Sequence, residues 1–393
     1  MFAKPYTDEV TNRNRAMPLG NENVLALGNT ASVMPSIAKT VDHLYVACPT
    51  DVTSVVLQGN DKCFYANELN YPLSISCYEF VRKMSSKFRL FHAELGYSVS
   101  CNVAGVPYGI HIHGVTDIEL LFPRTPIGVA LKRPYRAALK NAEYVVSHPA
   151  VVDSIRKLRK DAMTVPLPID TIQFNDRVKP FKFGTGISIF SPSRMDQWKG
   201  HEIIWEALRL MKNREKVTIY QSDWGWEPRY TYFRTHAPDN VQFIAVISRA
   251  KIASCYRGAD LVIGQMKIGH FGMTELEAVA CGAPVLVYLH DEGAPFLPKS
   301  GDPKALAEAI DRFVEDGESR KKYADACANY ILPVVELAIV STKFTDIWAA
   351  SDRRNRGRSV RRTGLFLGSG LEVVGRTLGS RTFKALKSSL IGL

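Results

Sequence analysis

The chain has 393 residues, 46% hydrophobic and 23% charged, the balance of a folded globular protein, which excludes a disordered or fibrous chain. That length predicts two domains rather than one. The net charge of +11 is unevenly spread: from Arg353 onward ten basic residues stand against Glu372 alone, leaving +2 for the rest. The basicity therefore belongs to a tail, and a nucleic-acid-binding body is not expected.

The seven cysteines, Cys48, Cys63, Cys77, Cys101, Cys255, Cys281 and Cys327, are dispersed. Their spacing fits neither a zinc knuckle nor a redox pair and points to reduced thiols in a cytosolic setting. Ile331–Val340 is apolar but too short to span a bilayer and carries Glu336. Asp8 and Glu9 occupy the place where a secretion signal needs its apolar core.

In chain order, the residues before Asn21 are polar and turn-rich. Val24–Gly28 reads as a strand breaking at Gly28-Asn29-Thr30, followed by a helix through Met34, Ile37 and Val41. His43–Cys48 and Ser54–Leu57 read as strands, and Glu79–Leu90 as a helix. Gly109–His113 and Tyr144–Ser147 are strands, with helices over Arg136–Ala142 and Val151–Leu158, then a strand over Met163–Pro166. Asp170–Gly186 is polar and turn-prone, a hinge by composition.

After that hinge the alternation restarts. Strands are predicted at Ile187–Phe190, Val217–Gln221, Val241–Ile244 and Leu261–Gly264, with helices at His201–Met211 and Lys251–Arg257. Pro303–Glu315, Ser319–Ala328 and Leu332–Ala349 read as helices. Strands alternating with helices mean parallel sheets covered on both faces. The expected fold is α/β: two doubly wound, Rossmann-like domains facing a cleft. Their bounds are 1–175 and 176–350, with a basic amphipathic tail over 351–393.

Two stretches of the second half carry chemistry. In Gly269–Tyr288 (GHFGMTELEAVACGAPVLVY) a glycine-flanked loop enters an apolar helix, which Gly282-Ala283-Pro284 stops before a strand. Thr274 reads as the N-cap and Glu277, three residues on, as its capping-box partner. Taken alone this is a capped core helix, although such a helix start also suits a phosphate. In Ile187–Leu210, Arg194 and Lys199 lie in the loop after a strand, where ligands bind in open α/β sheets and two cations can clamp a diphosphate. His111 and His113, two apart on a strand, share a face but lack a third metal ligand. Gly28–Ser32 lacks the further glycines of a dinucleotide fingerprint. Trp224-Gly225-Trp226 lines the cleft or packs over a sheet edge.

As a pair, these stretches resemble the donor site of family-4 glycosyltransferases, which adopt the GT-B fold. The matching residues are Arg194 and Lys199-Gly200, then Phe271-Gly272, Leu276-Glu277-Ala278 and Gly282-Ala283-Pro284-Val285. Weaker echoes are Gly28-Asn29, His111-Ile112-His113-Gly114, Ala142–Ser147 with Pro166–Phe174, and Ala259-Asp260. The resemblance implies that Arg194 and Lys199 neutralise a donor diphosphate, and that main-chain N–H groups of Gly272, Met273 and Thr274 support the same phosphates. It further implies that Glu277 accepts ribose hydroxyls, that Gly28 and Asn29 let backbone approach the donor, and that His113 lies near the reacting sugar. The implied enzyme is a metal-independent, retaining hexosyltransferase with a nucleotide sugar as co-substrate, no separate cofactor, and a glycan or lipid-linked acceptor. A phosphorylase, a sugar-nucleotide epimerase and a catalytically silent nucleotide-sugar scaffold are the alternatives. One position departs from the pattern: the family places a glutamate eight residues before Glu277, where this chain has Gly269.

The tail joins the cluster Arg353–Arg362 to two helical apolar faces, Leu367, Leu371, Val374 and Leu378, then Phe383, Leu386, Leu390 and Leu393. A basic amphipathic segment suits an anionic membrane surface, each basic residue adding about 1 kcal/mol near the lipid. The expected location is the cytoplasm, peripheral at the inner membrane face. The competing readings are a solubilising tail, or one packed back on the first domain.

Overall fold

The computed structural model describes residues 22–28, 33–50, 61–114, 117, 121–122, 126–225 and 229–351. The first sheet contains β1 (Val24–Leu27), β2 (Leu44–Cys48), β3 (Cys63–Tyr65), β4 (Leu90–Glu94), β5 (Tyr108–Ile112), β6 (Val145–Ser147) and β7 (Met163–Thr164). Its order is β3-β2-β1-β4-β5-β6-β7, and neighbouring strands run parallel. The second sheet contains β8 (Ile187–Ser191), β9 (Val217–Ser222), β10 (Val241–Ile244), β11 (Leu261–Ile263) and β12 (Val285–Leu286). It is ordered β10-β9-β8-β11-β12 and is also parallel. The inner strands β1, β4, β5, β8 and β11 are buried along almost their whole length on both faces, as helix-covered parallel sheets require, while the edge strands β3, β7 and β10 are only partly buried.

Helices α1 (Val33–Ile37), α2 (Ile75–Met84), α3 (Leu95–Ala104), α4 (Pro126–Asn141) and α5 (Val152–Arg156) connect the first sheet. Helices α6 (His201–Leu210), α7 (Arg229–Thr235), α8 (Arg249–Gly258), α9 (Met273–Ala280), α10 (Pro303–Glu315) and α11 (Gly317–Val335) belong with the second, and α12 (Leu337–Ser351) ends the described chain. Strand order reverses between β1 and β4 in one sheet and between β8 and β11 in the other. Such reversals open a crevice beyond the carboxyl ends of the strands, so the loops after those four strands are the ones positioned to hold ligands.

Several local expectations shift. The helix expected over Glu79–Leu90 is α2, which starts earlier because Ser74 Oγ caps it by accepting from Cys77 N at 3.1 Å. Leu90 then opens β4, and α3 follows it directly, a helix that its charge-free run LGYSVSCNVA does not announce. The aromatic and β-branched run RYTYFRT, which the sequence reading leaves unassigned, is α7. The strand expected at Ser54–Leu57, Trp226 and the tail from residue 352 onward lie outside the described residues.

The single helix expected over Leu332–Ala349 is two. α11 ends at Val335, and Glu336 turns extended so that Val335 O accepts from Ile169 N at 2.8 Å and Ile169 O from Leu337 N at 3.1 Å. α12 then returns to the first sheet, where Leu337, Val340, Phe344 and Trp348 share a core with Val24, Val46 and Tyr144. The chain thus crosses between the two cores twice, once near Ile169 and once at Glu336. The last helix of the stretch assigned to the second domain packs with the first, because its apolar face completes that core.

Candidate functional site

In the second crevice, the loop after β8 is organised by one buried carboxylate. Asp196 receives Arg194 Nε through one oxygen and Lys199 N, at 2.7 Å, through the other. Both expected cations are thereby fixed to the same turn. Lys199 Nζ reaches across the crevice to Gln265 Oε1 in the loop after β11, at 2.9 Å. A Cβ placed on Gly272 would stand only 3.5 Å from that ammonium. Lys199 and a helix start therefore meet where the strand order reverses, with Arg194 tied to the same turn as Lys199.

The helix start itself corrects the sequence reading. α9 begins at Met273 with Gly272 as N-cap, so Thr274 sits in the first turn rather than capping it. The capping carboxylate is Glu275, not Glu277: Glu275 Oε2 accepts from Gly272 N at 2.7 Å and Oε1 from Gln265 N at 2.9 Å. Fully buried, Glu275 staples the loop to the helix, and glycine leaves the cap position without a competing side chain. Glu277 points elsewhere. Its Oε1 lies 2.5 Å from Arg249 Nη1, and its Oε2 accepts from Tyr256 OH at 3.3 Å. Burial raises the Glu277 pKa, and the Arg249 guanidinium acts against that rise.

Gly269 has φ +74°, and a Cβ there would lie 2.3 Å from the His290 ring. A glutamate in the family's usual position is therefore disfavoured twice over, by a left-handed backbone that strains any L side chain and by the imidazole that occupies its space.

The first sheet supplies the facing wall. Gly28 ends β1 with φ +113°, and a Cβ on it would come within 2.2 Å of the Glu94 carboxyl carbon at the end of β4. Glu94 Oε1 stands 3.7 Å from His113 Nε2, and the His113 ring stacks on His111 with centroids 4.0 Å apart. His113 N donates to Asp117 Oδ2 at 2.7 Å, while burial carries the Asp117 pKa up to about 6. Burial also pushes His113 down to about 3, with His148 adding to the shift, so the imidazole is neutral. Asn29 lies outside the described residues.

Behind His113 runs a buried chain of polar contacts. Trp348 Nε1 can only donate, and it meets Tyr144 OH at 2.9 Å. Tyr144 OH lies 2.7 Å from His92 Nδ1, and His92 Nε2 lies 3.2 Å from His111 Nδ1. His148, after β6, joins the walls: Nδ1 accepts from Ala150 N at 3.2 Å, so Nε2 carries the hydrogen and donates to Phe271 O at 3.0 Å. That carbonyl immediately precedes Gly272.

A largely apolar cavity of about 270 Å³ lies beside this contact, lined by His148, Leu167, His270, Phe271, Leu276 and Val334 among others. Trp224 donates from Nε1 to Pro192 O at 3.1 Å and packs beside the loop that carries Arg194. Asp260 braces the second sheet, its Oδ2 accepting from Ser188 N and Oγ at 2.9 Å each. Among the described residues, no group of three or more His, Cys, Asp or Glu side chains could hold a metal ion. Nor is any helix among them long and apolar enough to cross a membrane.

The structure thus brings Lys199 to Gly272 and Arg194 to the same turn as Lys199, and it sets Gly28 and His113 on the opposite wall. Asp196, Gln265, Glu94 and His148 are absent from the sequence reading, which sets Glu275 aside as a poor substitute for the carboxylate missing at Gly269. Only Glu275 had a legible signal, its three-residue spacing from Gly272; the others depend on which strands are neighbours.

Residues 173–329 match the family model described as glycosyl transferases group 1. A curated relative, the D-inositol 3-phosphate glycosyltransferase of Mycolicibacterium smegmatis, is 30% identical over 93 residues, which is 24% of this chain and 19% of the relative's length. The chain therefore matches about a fifth of that relative. Among solved structures, Anabaena Alr3699/HepE in complex with UDP and glucose superposes with a TM-score of 0.66 at 16% identity, covering 84% of this chain and 100% of that one. Sucrose-phosphate synthase from Thermosynechococcus elongatus gives 0.62 at 15% identity, covering 83% and 98%. At these identities the likeness is one of fold: two parallel α/β sheets in a GT-B-like arrangement.

Proposed function

We propose that the chain, whose residues 173–329 match the glycosyl transferases group 1 model, is a glycosyltransferase that moves a sugar from a nucleotide-sugar donor to an acceptor hydroxyl. The observation that carries this reading is the meeting of Lys199 Nζ, Gln265 and the Gly272 helix start at the β8–β11 crevice. In the proposal, Arg194 and Lys199 take the diphosphate and the charge that grows on it as the sugar leaves. N–H groups of Gly272, Met273 and Thr274 support the same oxygens. Glu277 takes the ribose hydroxyls, giving up part of its contact with Arg249. His113 meets the sugar as a neutral hydrogen-bonding group, and backbone at Gly28 and Asn29 closes over it. UDP-glucose is the first donor to test, since Alr3699/HepE is seen with UDP and glucose.

The finer proposal is a retaining, metal-independent enzyme of cell-surface glycan or glycolipid synthesis, with domains over 1–175 and 176–350, the last helix of the second packed on the first, working from the cytoplasmic face. Its tail from residue 351 binds anionic lipid; truncation after Ser351 should abolish sedimentation with anionic vesicles, and unchanged binding discards that part. The core test compares wild type with Arg194→Ala and Lys199→Ala. UDP should raise the wild-type melting temperature by mass action, and each variant should lose that rise together with transfer from UDP-glucose. Full turnover in both variants would sink the assigned roles. A catalytically silent nucleotide-sugar binder is the second reading, favoured by Gly269 beneath His290; it predicts UDP binding without transfer or donor hydrolysis.

A further inference from the structure

We infer that His148 is a positioning residue: from the wall of the first sheet it fixes the peptide that opens α9, and so sets how well that helix start holds a diphosphate. The inference rests on the reading of the helix start as the donor seat. It adds the group that makes the seat depend on the two walls being together.

The first ground is the geometry of one peptide unit. Phe271 and Gly272 share a planar peptide, and both of its polar ends are held. Phe271 O accepts from His148 Nε2 at 3.0 Å, and Gly272 N donates to Glu275 Oε2 at 2.7 Å. One residue earlier, His270 O accepts from Gln265 Nε2, and Gln265 Oε1 accepts from Lys199 Nζ at 2.9 Å. Lys199, Gln265 and Glu275 lie in the loops after β8 and β11 and in α9, all of the second sheet. His148 follows β6 of the first sheet and stands 123 positions from Phe271. Separating the walls therefore withdraws the donor to Phe271 O and leaves the other ties in place.

The second ground is that both imidazole nitrogens are committed. A backbone N–H can only donate, so the bond from Ala150 N at 3.2 Å makes Nδ1 an acceptor and puts the hydrogen on Nε2. The same bond caps the tight turn Pro149–Val151 and holds the ring at one orientation. Burial lowers the His148 pKa and Lys199 adds to that, while the Phe271 carbonyl and Glu275 oppose it. His111, His113 and His270 are the other titratable groups it faces. The neutral ring that results is the form both bonds need.

One such hydrogen bond is worth about three- to tenfold in an equilibrium. Coupling between two sites is reciprocal, so a diphosphate on the seat strengthens the wall contact by the factor that the wall contact strengthens its binding.

The test uses the full chain and two amides that divide the imidazole between them. His148→Asn places an acceptor oxygen where Nδ1 stands, a favoured capping group, and stops short of Phe271. His148→Gln places a donor nitrogen where Nε2 stands. Amide hydrogen exchange over 269–276 without ligand reports the peptide, and calorimetric titration with UDP reports the seat. His148→Gln should match wild type in both within about twofold, whereas His148→Asn should exchange faster and bind UDP about three- to tenfold more weakly. A role confined to the turn reverses that order, because asparagine is the variant that keeps the cap. UDP affinity in His148→Asn equal to wild type, or His148→Gln as weak as His148→Asn, overturns the inference. Failure of wild type to bind UDP counts instead against the donor reading, and ligand-free exchange then decides the His148 contact. Protection unchanged in His148→Asn overturns it; protection lost there and kept in His148→Gln upholds it.

Discussion

Replacing Gly269 with alanine tests the strongest departure from the family pattern. The residue sits at φ +74°, where an L side chain costs about 1–2 kcal/mol. Its new Cβ would also fall 2.3 Å from the His290 ring. His290 is exposed and can swing aside, but doing so breaks its contact with Tyr288 OH, 3.2 Å from Nδ1, and its edge packing on His270. That adds about 1 kcal/mol. Gly269→Ala should therefore cost about 2–3 kcal/mol, roughly 4–12 °C in melting temperature for a unit of this size. Denaturant melts of Gly269→Ala, His290→Ala and the double variant form a cycle that separates the two contributions. In the His290→Ala background the alanine should cost only its backbone share, about 1–2 kcal/mol. A cost below about 0.5 kcal/mol in wild type, or an identical cost in both backgrounds, would refute the steric account of why this chain has glycine there.

Three further outcomes follow from other parts of the molecule. Glu275→Gln leaves one of two loop N–H groups facing an amide donor; about 2 kcal/mol of stability and most of the UDP-induced thermal shift should disappear, whereas an unchanged shift would deny Glu275 its role in shaping the helix start. Trp348→Ala empties a fully buried site and should cost about 3–5 kcal/mol, with amide exchange of α12 rising ahead of the second sheet; equal protection of both would contradict the docking of α12 on the first core. His201 is buried between Asp196 N and Gln221, and burial lowers its pKa to about 4. The unfolded chain then binds more protons below about pH 6.5, so this contribution is present above that pH and fades as pH falls toward 4, by about 3 kcal/mol in total. His201→Gln should flatten the stability–pH curve in that window, and an unaltered slope would show that other groups set it.

The sequence was most informative where chemistry is local. Hydrophobic runs bounded by glycine and proline located β8 to β12 within a residue or two, since such punctuation acts on its own neighbours. Arg194 and Lys199 were legible because two cations in one post-strand loop stay close however the rest of the chain folds. The capping assignment failed by two residues because Thr274 and Glu277 also fit the spacing rule, and only the extended backbone at Gly272 decides between registers.

What the chain alone determined is its composition of alternating strands and helices, the near-neutral body with a basic tail, and the cations and glycines of the loops after β8 and β11. Tertiary structure decided which of those groups meet. Strand order put Glu94 over Gly28, two residues 66 positions apart that no periodicity connects. The crossing at Glu336 sent α12 to the first core, although the preceding sequence belongs with the second. Gly269 shows the division most plainly: the sequence reveals a missing carboxylate, and the fold supplies the reason, a left-handed backbone and an imidazole in the space where that carboxylate would have stood. Long-range neighbours are set by how sheets pair and pack, which residue spacing does not encode.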